Sequence, residues 1–323
     1  MKPTLLLAAV WLLVGCATQH GFNRAAFLQR PERQLATYHA RLDADIADRV
    51  QPAPPAIIRY LDRMDSTDQY SPYTLSPDEL KLFLQYFALL PAKYRDTIQR
   101  SVVGIYFISN FAGGGMSDFL YDEKGKLYIA LYFNPELLHK SVAEWLEYRE
   151  NASFLDDGNV QIKVASANNY RGLIQTLVHE ASHIYDYYYH VTPYVEPFFR
   201  QGETSISKTF TRGVWQDYRV PAPGLDFLRP TKFSGYGLNG KIDRSEAVGL
   251  YSQLGRSPFS SLYGALSWAE DFAETFTWYY LQAKLGISYQ VTVVKGGKTV
   301  AEFAPGHNSL IWARYSQLAE IAP

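Results

Sequence analysis

Two histidines bracket a glutamate in His179-Glu180-Ala181-Ser182-His183, the pattern H-E-x-x-H. The surrounding stretch Asn169–His190 reads as a helix. Leu173, Ile174, Leu177, Val178, Ala181, Ile184, Tyr185 and Tyr188 recur at helical spacing, with no proline or glycine after Gly172. Residues four apart on a helix share a face, so His179 and His183 can hold one zinc ion between their imidazoles while Glu180 leans toward it. Zinc favours nitrogen ligands and a low coordination number, and a catalytic site leaves one position for water. The metal lowers that water's pKa to about 7, and the neighbouring carboxylate can take its proton. The plain alternative is a pair of surface histidines on an amphipathic helix.

A zinc site of this kind needs a third ligand. Continuation as H-E-x-x-H-x-x-G-x-x-H would supply one, but positions 186 and 189 are Asp and Tyr, so a distal carboxylate is required. Glu270 and Glu274 lie four apart in Ser267–Leu285, a strong helical stretch ended by Gly286. One can bind the metal, Glu270 in preference, while the other buttresses a histidine or the first carboxylate. Trp268, Phe272, Phe276 and Tyr279 mark this helix as buried, where a carboxylate pair is not simply solvated. Ser267 and Glu270 also have the spacing of a capping box, a purely structural role.

Other elements must position these groups. Pro31–Val50 has helical spacing, Gln51–Pro55 breaks it, and a short helix over Ala56–Met64 precedes a polar loop. Ser76-Pro77-Asp78-Glu79 is a capping box opening a helix through Leu90. Val102–Ser109 and Leu127–Phe133 suit strands. Between them, Gly113–Asp118 is expected to form an edge strand beside the metal helix, able to hold an extended peptide by backbone hydrogen bonds. Leu137–Glu150 reads as a helix with Trp145 inward, and Val160–Val164 as a strand. Pro193–Arg229 is irregular, a candidate wall of the cleft. Arg244–Leu254 and Ser309–Ile321 read as helices. Lys295-Gly296-Gly297-Lys298 signals a hairpin.

The chain has 323 residues, 47% of them hydrophobic, enough for a sizeable core. Formal net charge is −1 with dispersed charges, so nothing suggests nucleic acid as a partner. Leu5–Val14 follows Lys2 as a short apolar run and ends in Leu13-Val14-Gly15-Cys16, which resembles a bacterial lipobox. Cys16 is the only cysteine, which excludes an intrachain disulfide. Residues 1–15 are therefore expected to be a lipoprotein signal peptide, with a membrane anchor on Cys16. By resemblance to Gram-negative lipoproteins, Ala17 after the cysteine favours the outer membrane. Residues 16–72 are expected to be a tether and helical arm, and 73–323 the catalytic domain.

Taken together, His179-Glu180-x-x-His183-x-x-Asp186, then Tyr263-Gly264, then Glu270-x-Phe272-Ala273-Glu274-x-Phe276 resemble the catalytic domain of anthrax lethal factor and the related Pro-Pro endopeptidases, gluzincin-type zinc peptidases. The resemblance covers roughly residues 165–285. It implies an α+β zincin-like domain, with a small mixed sheet, the H-E-x-x-H helix and a glutamate helix. It implies His179, His183 and Glu270 as ligands of one zinc ion and Glu180 as general base. Tyr263 would assist the oxyanion or leaving group, with Tyr236 in Gly235-Tyr236-Gly237 competing. Glu274 and Asp186 would stand behind the ligands. Asp271 departs from the family, which usually has an aromatic there. The implied activity is zinc-dependent hydrolysis of protein or peptide in the bacterial cell envelope. The alternatives are a non-catalytic envelope lipoprotein that binds or scaffolds, and a zinc amidase acting on cell-wall material.

Overall fold

In a computed structural model, the chain is described over residues 24–156, 158–199, 202–238 and 240–321. The expected signal peptide and Cys16 lie outside these residues. The described chain is mixed α+β, 48% helix and 19% strand. Among the described residues no helix is long and apolar enough to cross a membrane.

The main sheet has four strands: β1 (Ser71–Tyr73), β2 (Val102–Ser109), β3 (Gly115–Tyr121) and β4 (Leu127–Phe133), in the order β1-β2-β4-β3. β2 and β4 are parallel, while β1 and β3 run antiparallel to their neighbours. β2 is buried at every position but the last, because both faces of the sheet are covered. On one face Phe83 packs edge-on to Phe107, above the motif helix Leu173–Tyr189. On the other, Tyr38, Ile57, Leu61 and Tyr70 pack against Val103, Tyr106, Ile108 and Tyr132.

That second face changes the reading of the N-terminal segment. The helix expected over 31–50 is instead two 3₁₀ turns, Pro31–Arg33 and Leu35–Tyr38, and a short helix Ile46–Arg49. His39 breaks the run in the left-handed region, at φ 48°. The buried Arg49 guanidinium then ties the coil together, bonding the carbonyls of Leu42, Ala44, Gln99 and Val102. β1 straddles the expected boundary at residue 72, and the segment covers the sheet instead of standing apart from it.

Several expectations match closely. β2 and β4 occupy the expected residues. Ser76 and Glu79 form their capping box. Gln290–Lys295 and Lys298–Phe303 make the hairpin, turning through Gly296 and Gly297 at φ 57° and 75°, and Val160–Ala165 completes that antiparallel sheet. The helix expected over 137–150 starts later, at Val142, because Ser141 and Glu144 form their own capping box. Within 193–229 lie a short helix, Ser205–Thr211, and a small hairpin, Trp215–Asp217 with Val220–Pro221.

Candidate metal centre

The motif helix is buried along nearly its whole length, and its two histidines keep only a small exposed edge beside the partly accessible Glu270. It begins against Trp145, so close that a Cβ on Gly172 would stand 2.7 Å from Trp145 Cβ. It ends at His190, which turns left-handed at φ 53°. Asp186 holds that turn, accepting from Thr192 N (2.7 Å) and Thr192 Oγ1 (2.5 Å). Burial pushes the Asp186 carboxyl up to about 6, while Thr192 and the charge of His183 act in the opposite sense. Its contacts are thus with the turn, and it touches neither imidazole through a hydrogen bond.

The glutamate helix, Trp268–Leu285, crosses the motif helix and brings Glu270 to the two imidazoles. Only half of the possible capping box forms. Ser267 Oγ accepts from Glu270 N (3.2 Å), while the Glu270 side chain turns to the histidines. The irregular segment secures this helix end. Trp268 Nε1 donates to Tyr194 O (2.7 Å), and Trp268 N donates to Tyr218 O. Asp271 accepts from Arg314 Nη2 (2.6 Å), Trp215 Nε1 (2.8 Å) and Thr275 Oγ1 (3.0 Å). An acid therefore anchors the C-terminal helix and the small hairpin.

Three ligand atoms form a nearly equilateral triangle. His179 Nε2 and His183 Nε2 are 3.2 Å apart, and Glu270 Oε2 lies 3.2 Å from the first and 3.3 Å from the second. His179 Nδ1 donates to the Glu274 Oε1 carboxylate oxygen (2.9 Å), which turns Nε2 to the centre of the triangle. Glu270 Oε2 is buried without a sound hydrogen-bond partner among the described residues. Acceptors packed this closely repel unless a proton or a cation lies between them. His179, His183 and Glu270 can hold a metal ion. With protons alone, burial lowers His179 but Glu270 and Glu274 outweigh it, raising the imidazole to about 10. Burial likewise opposes charge on Glu270, and the two imidazoles hold it well below the usual carboxylate range.

Glu274 does not reach the triangle. It heads a buried chain of charges behind His179. Glu274 Oε1 also accepts from Arg149 Nη1 (3.0 Å) and Gln175 Nε2 (3.3 Å). Arg149 Nε and Nη2 grip Glu150 Oε1 (3.1 and 3.0 Å), and Tyr251 donates to Glu150 Oε2 (2.6 Å). Burial favours the neutral acid at Glu274, but Arg149 and His179 prevail and hold it at about 2. His183 Nδ1 has no hydrogen-bond partner among the described residues, so the network orients only one of the two imidazoles. Arg149 and Glu150 were missed in the sequence reading, although Arg149 lies four residues after Trp145 and hence on the same inward face.

Glu180 lies under the start of β3. A Cβ on Gly115 would come within 2.9 Å of Glu180 Cγ and 3.0 Å of its Oε1, so only glycine allows this approach. Burial raises the Glu180 carboxyl, opposed by the two histidines and by a hydrogen bond from Ser117. Both candidate tyrosines face the site. The Tyr263 ring is 5.7 Å from that of His179, and the Tyr236 ring packs edge-on to Tyr263 at 5.9 Å. Tyr236 is held left-handed at φ 56°. Together with His179, Glu180 and Gly115 they line a cavity of about 20 Å³, room for one water. The expected edge strand is present, starting at Gly115 instead of Gly113.

Comparison with protein-family models, with curated proteins and with solved structures finds no match to this chain.

Proposed function

We propose that this chain is a zinc-dependent metalloendopeptidase with a zincin-like catalytic domain, tethered in the bacterial cell envelope by a lipid on Cys16. The triangle of His179 Nε2, His183 Nε2 and Glu270 Oε2 carries the reading. In a regular tetrahedron the centre lies 0.61 of an edge from each vertex. Edges of 3.2–3.3 Å would therefore suit a tetrahedral ion at about 2.0 Å from each ligand atom, the zinc–nitrogen and zinc–oxygen distance. Two imidazoles and one carboxylate suit zinc, whereas magnesium and calcium prefer all-oxygen sets. Three protein ligands leave a fourth position for water, the mark of a catalytic site and not of a structural one.

When bound, zinc supplies a Lewis acid that polarises a scissile carbonyl and makes a nearby water acidic. The chain's own groups do the rest. Glu180, with its basicity raised by burial, takes the proton of the attacking water and delivers it to the leaving amine nitrogen. Ser117 orients that carboxylate. Tyr263 donates a hydrogen bond to the carbonyl oxygen as negative charge develops there, with Tyr236 behind it. Glu274 keeps the proton of His179 on Nδ1, so that Nε2 stays available as a ligand.

Metal analysis of the purified protein and a peptide library digested with and without chelator test the reading. The expected result is about one zinc per chain and cleavage that chelator abolishes. A metal-free chain, or cleavage indifferent to chelator, refutes it. Cys16→Ala is expected to release the protein from the membrane fraction without changing cleavage.

A further inference from the structure

β3 is the edge of its sheet, and its pairing with β4 fixes which backbone groups face outward. Asn134 N donates to Gly114 O (2.9 Å), in the register that sets Gly115 opposite Phe133. Inward and outward residues alternate along an antiparallel pair. Met116, Asp118 and Leu120 therefore bond to β4, while Gly115, Ser117, Phe119 and Tyr121 turn their N–H and C=O groups away from it.

These four outward residues divide into two pairs. Phe119 O accepts from Arg33 Nη1 (2.6 Å), and Tyr121 pairs with Gln34 in a parallel bridge. Arg33 is buried and ion-pairs with Asp118. It also donates to the Tyr60 hydroxyl (3.0 Å), and its guanidinium lies 4.2 Å over the Phe119 ring. Gly115 and Ser117 have no outward backbone partner among the described residues, and both are partly accessible. They are also the two strand residues against Glu180. In the other direction Gly114 is buried beside Trp145, Thr176 and the Tyr236 hydroxyl, and Gly113 is partly accessible. A side chain at Gly113 would meet only Gly115 O, at 3.8 Å. Ala112 borders a surface cavity of about 390 Å³ lined also by Asp65, Tyr70, Asn110 and Leu238.

We propose that Arg33 and Gln34 are the end stop of a one-sided peptide cleft. The inference rests on the peptidase reading and names its substrate form. An extended peptide pairs with Gly115 and Ser117 over about 7 Å of strand, then must leave the sheet, because the N-terminal segment already occupies the next two pairing positions. On the opposite side it continues past Gly113 toward the cavity that Ala112 borders. The Asp65 carboxylate there favours a hydrogen-bonding or basic side chain. Arg33 is thus a specificity-determining residue, and the segment following the tether sets the length of the cleft.

The test reads binding separately from turnover. The full chain carrying Glu180→Gln, loaded with Zn²⁺, is mixed with a randomised pool of capped ten-residue peptides, and amide hydrogen exchange is followed along β3. Exchange at Gly115 and Ser117 is expected to slow tenfold or more, with Phe119 and Tyr121 unchanged. In Arg33→Met combined with Asp118→Leu, slowing spreads to Phe119. Arg33→Lys, which keeps the charge but loses the planar fork, gives a smaller spread and serves if the double variant fails to fold. With the unsubstituted chain, trimming cleaved peptides is expected to lower kcat/KM tenfold or more on one side of the scissile bond. Beyond the second residue on the other side, the change stays under twofold. Peptide-induced slowing that reaches Tyr121 in the presence of Arg33, or equal length dependence on both sides, overturns the end stop and leaves the peptidase reading intact. If no β3 amide slows and no peptide is cleaved, the peptidase reading falls and the end stop with it.

Discussion

Glu274→Gln separates orientation of a ligand from provision of one. Glu274 Oε1 receives His179 Nδ1, Arg149 Nη1 and Gln175 Nε2 within 2.9–3.3 Å, and none of these is a triangle atom. Glutamine keeps an acceptor oxygen in the same volume but loses the charge. Arg149 is not orphaned by the change, because Glu150 still takes its Nε and Nη2. The fold is therefore expected to survive, whereas Arg149→Met would take the shared guanidinium from two buried carboxylates, at about 3–5 kcal/mol. What Glu274→Gln removes is a charge-assisted bond that holds the His179 ring and tautomer. Groups in this position are worth about 10–100-fold in metal affinity, or about 1.4–2.7 kcal/mol. Competition against a chromophoric chelator measures it directly, with thermal unfolding of the metal-free protein as the control for folding. Unchanged zinc affinity in a folded variant would refute the claim that the buried chain from Tyr251 to His179 serves the metal. Affinity lost together with the metal-free fold would mean that the network serves the core.

Three further outcomes follow from the same geometry. Glu180→Gln is expected to bind zinc normally while peptide cleavage falls below detection; wild-type turnover in that variant removes the base assignment. Tyr263→Phe is expected to cost about 10²–10³ in kcat with little effect on KM, and Tyr236→Phe clearly less; the reverse order would transfer the oxyanion role to Tyr236. Asp186 gives a pH signature. Its carboxyl rises from 3.8 to about 6 on folding, so the folded state binds more protons between those values and stability falls as pH climbs through that window. The full effect is at most about 3 kcal/mol. Asn at 186 can keep both Thr192 partners without titrating, so the fall in denaturant midpoint from pH 4.5 to 7.5 should be smaller in Asp186→Asn than in the wild type. Parallel behaviour of the two proteins would show that Asp186 does not carry this dependence.

Legibility of the site follows the range of the interactions that build it. His179, Glu180 and His183 are readable because one helical turn fixes their relation, and that turn is written in the apolar period around them. Glu270 is readable in a weaker sense. Its helix is evident, but its direction is settled only where the carboxylate abandons the Ser267 cap for two imidazoles, a choice made by the motif helix about ninety residues earlier in the chain. Arg149 lies one step further out. Its spacing from Trp145 places it on the inward face of its helix, but its meaning comes from three other helices meeting there. The N-terminal segment resists reading for the opposite reason. Its apolar residues do recur at helical spacing, but they are spent covering a sheet that is already a good partner for irregular chain, with Arg49 bonding the Leu42 and Ala44 carbonyls that a helix would have paired internally. Covering the sheet also carries Arg33 to the Phe119 carbonyl. A stretch whose role the sequence leaves open is thereby brought to the edge strand, where, on the end stop proposed above, a single guanidinium would decide how much of that strand a peptide can use.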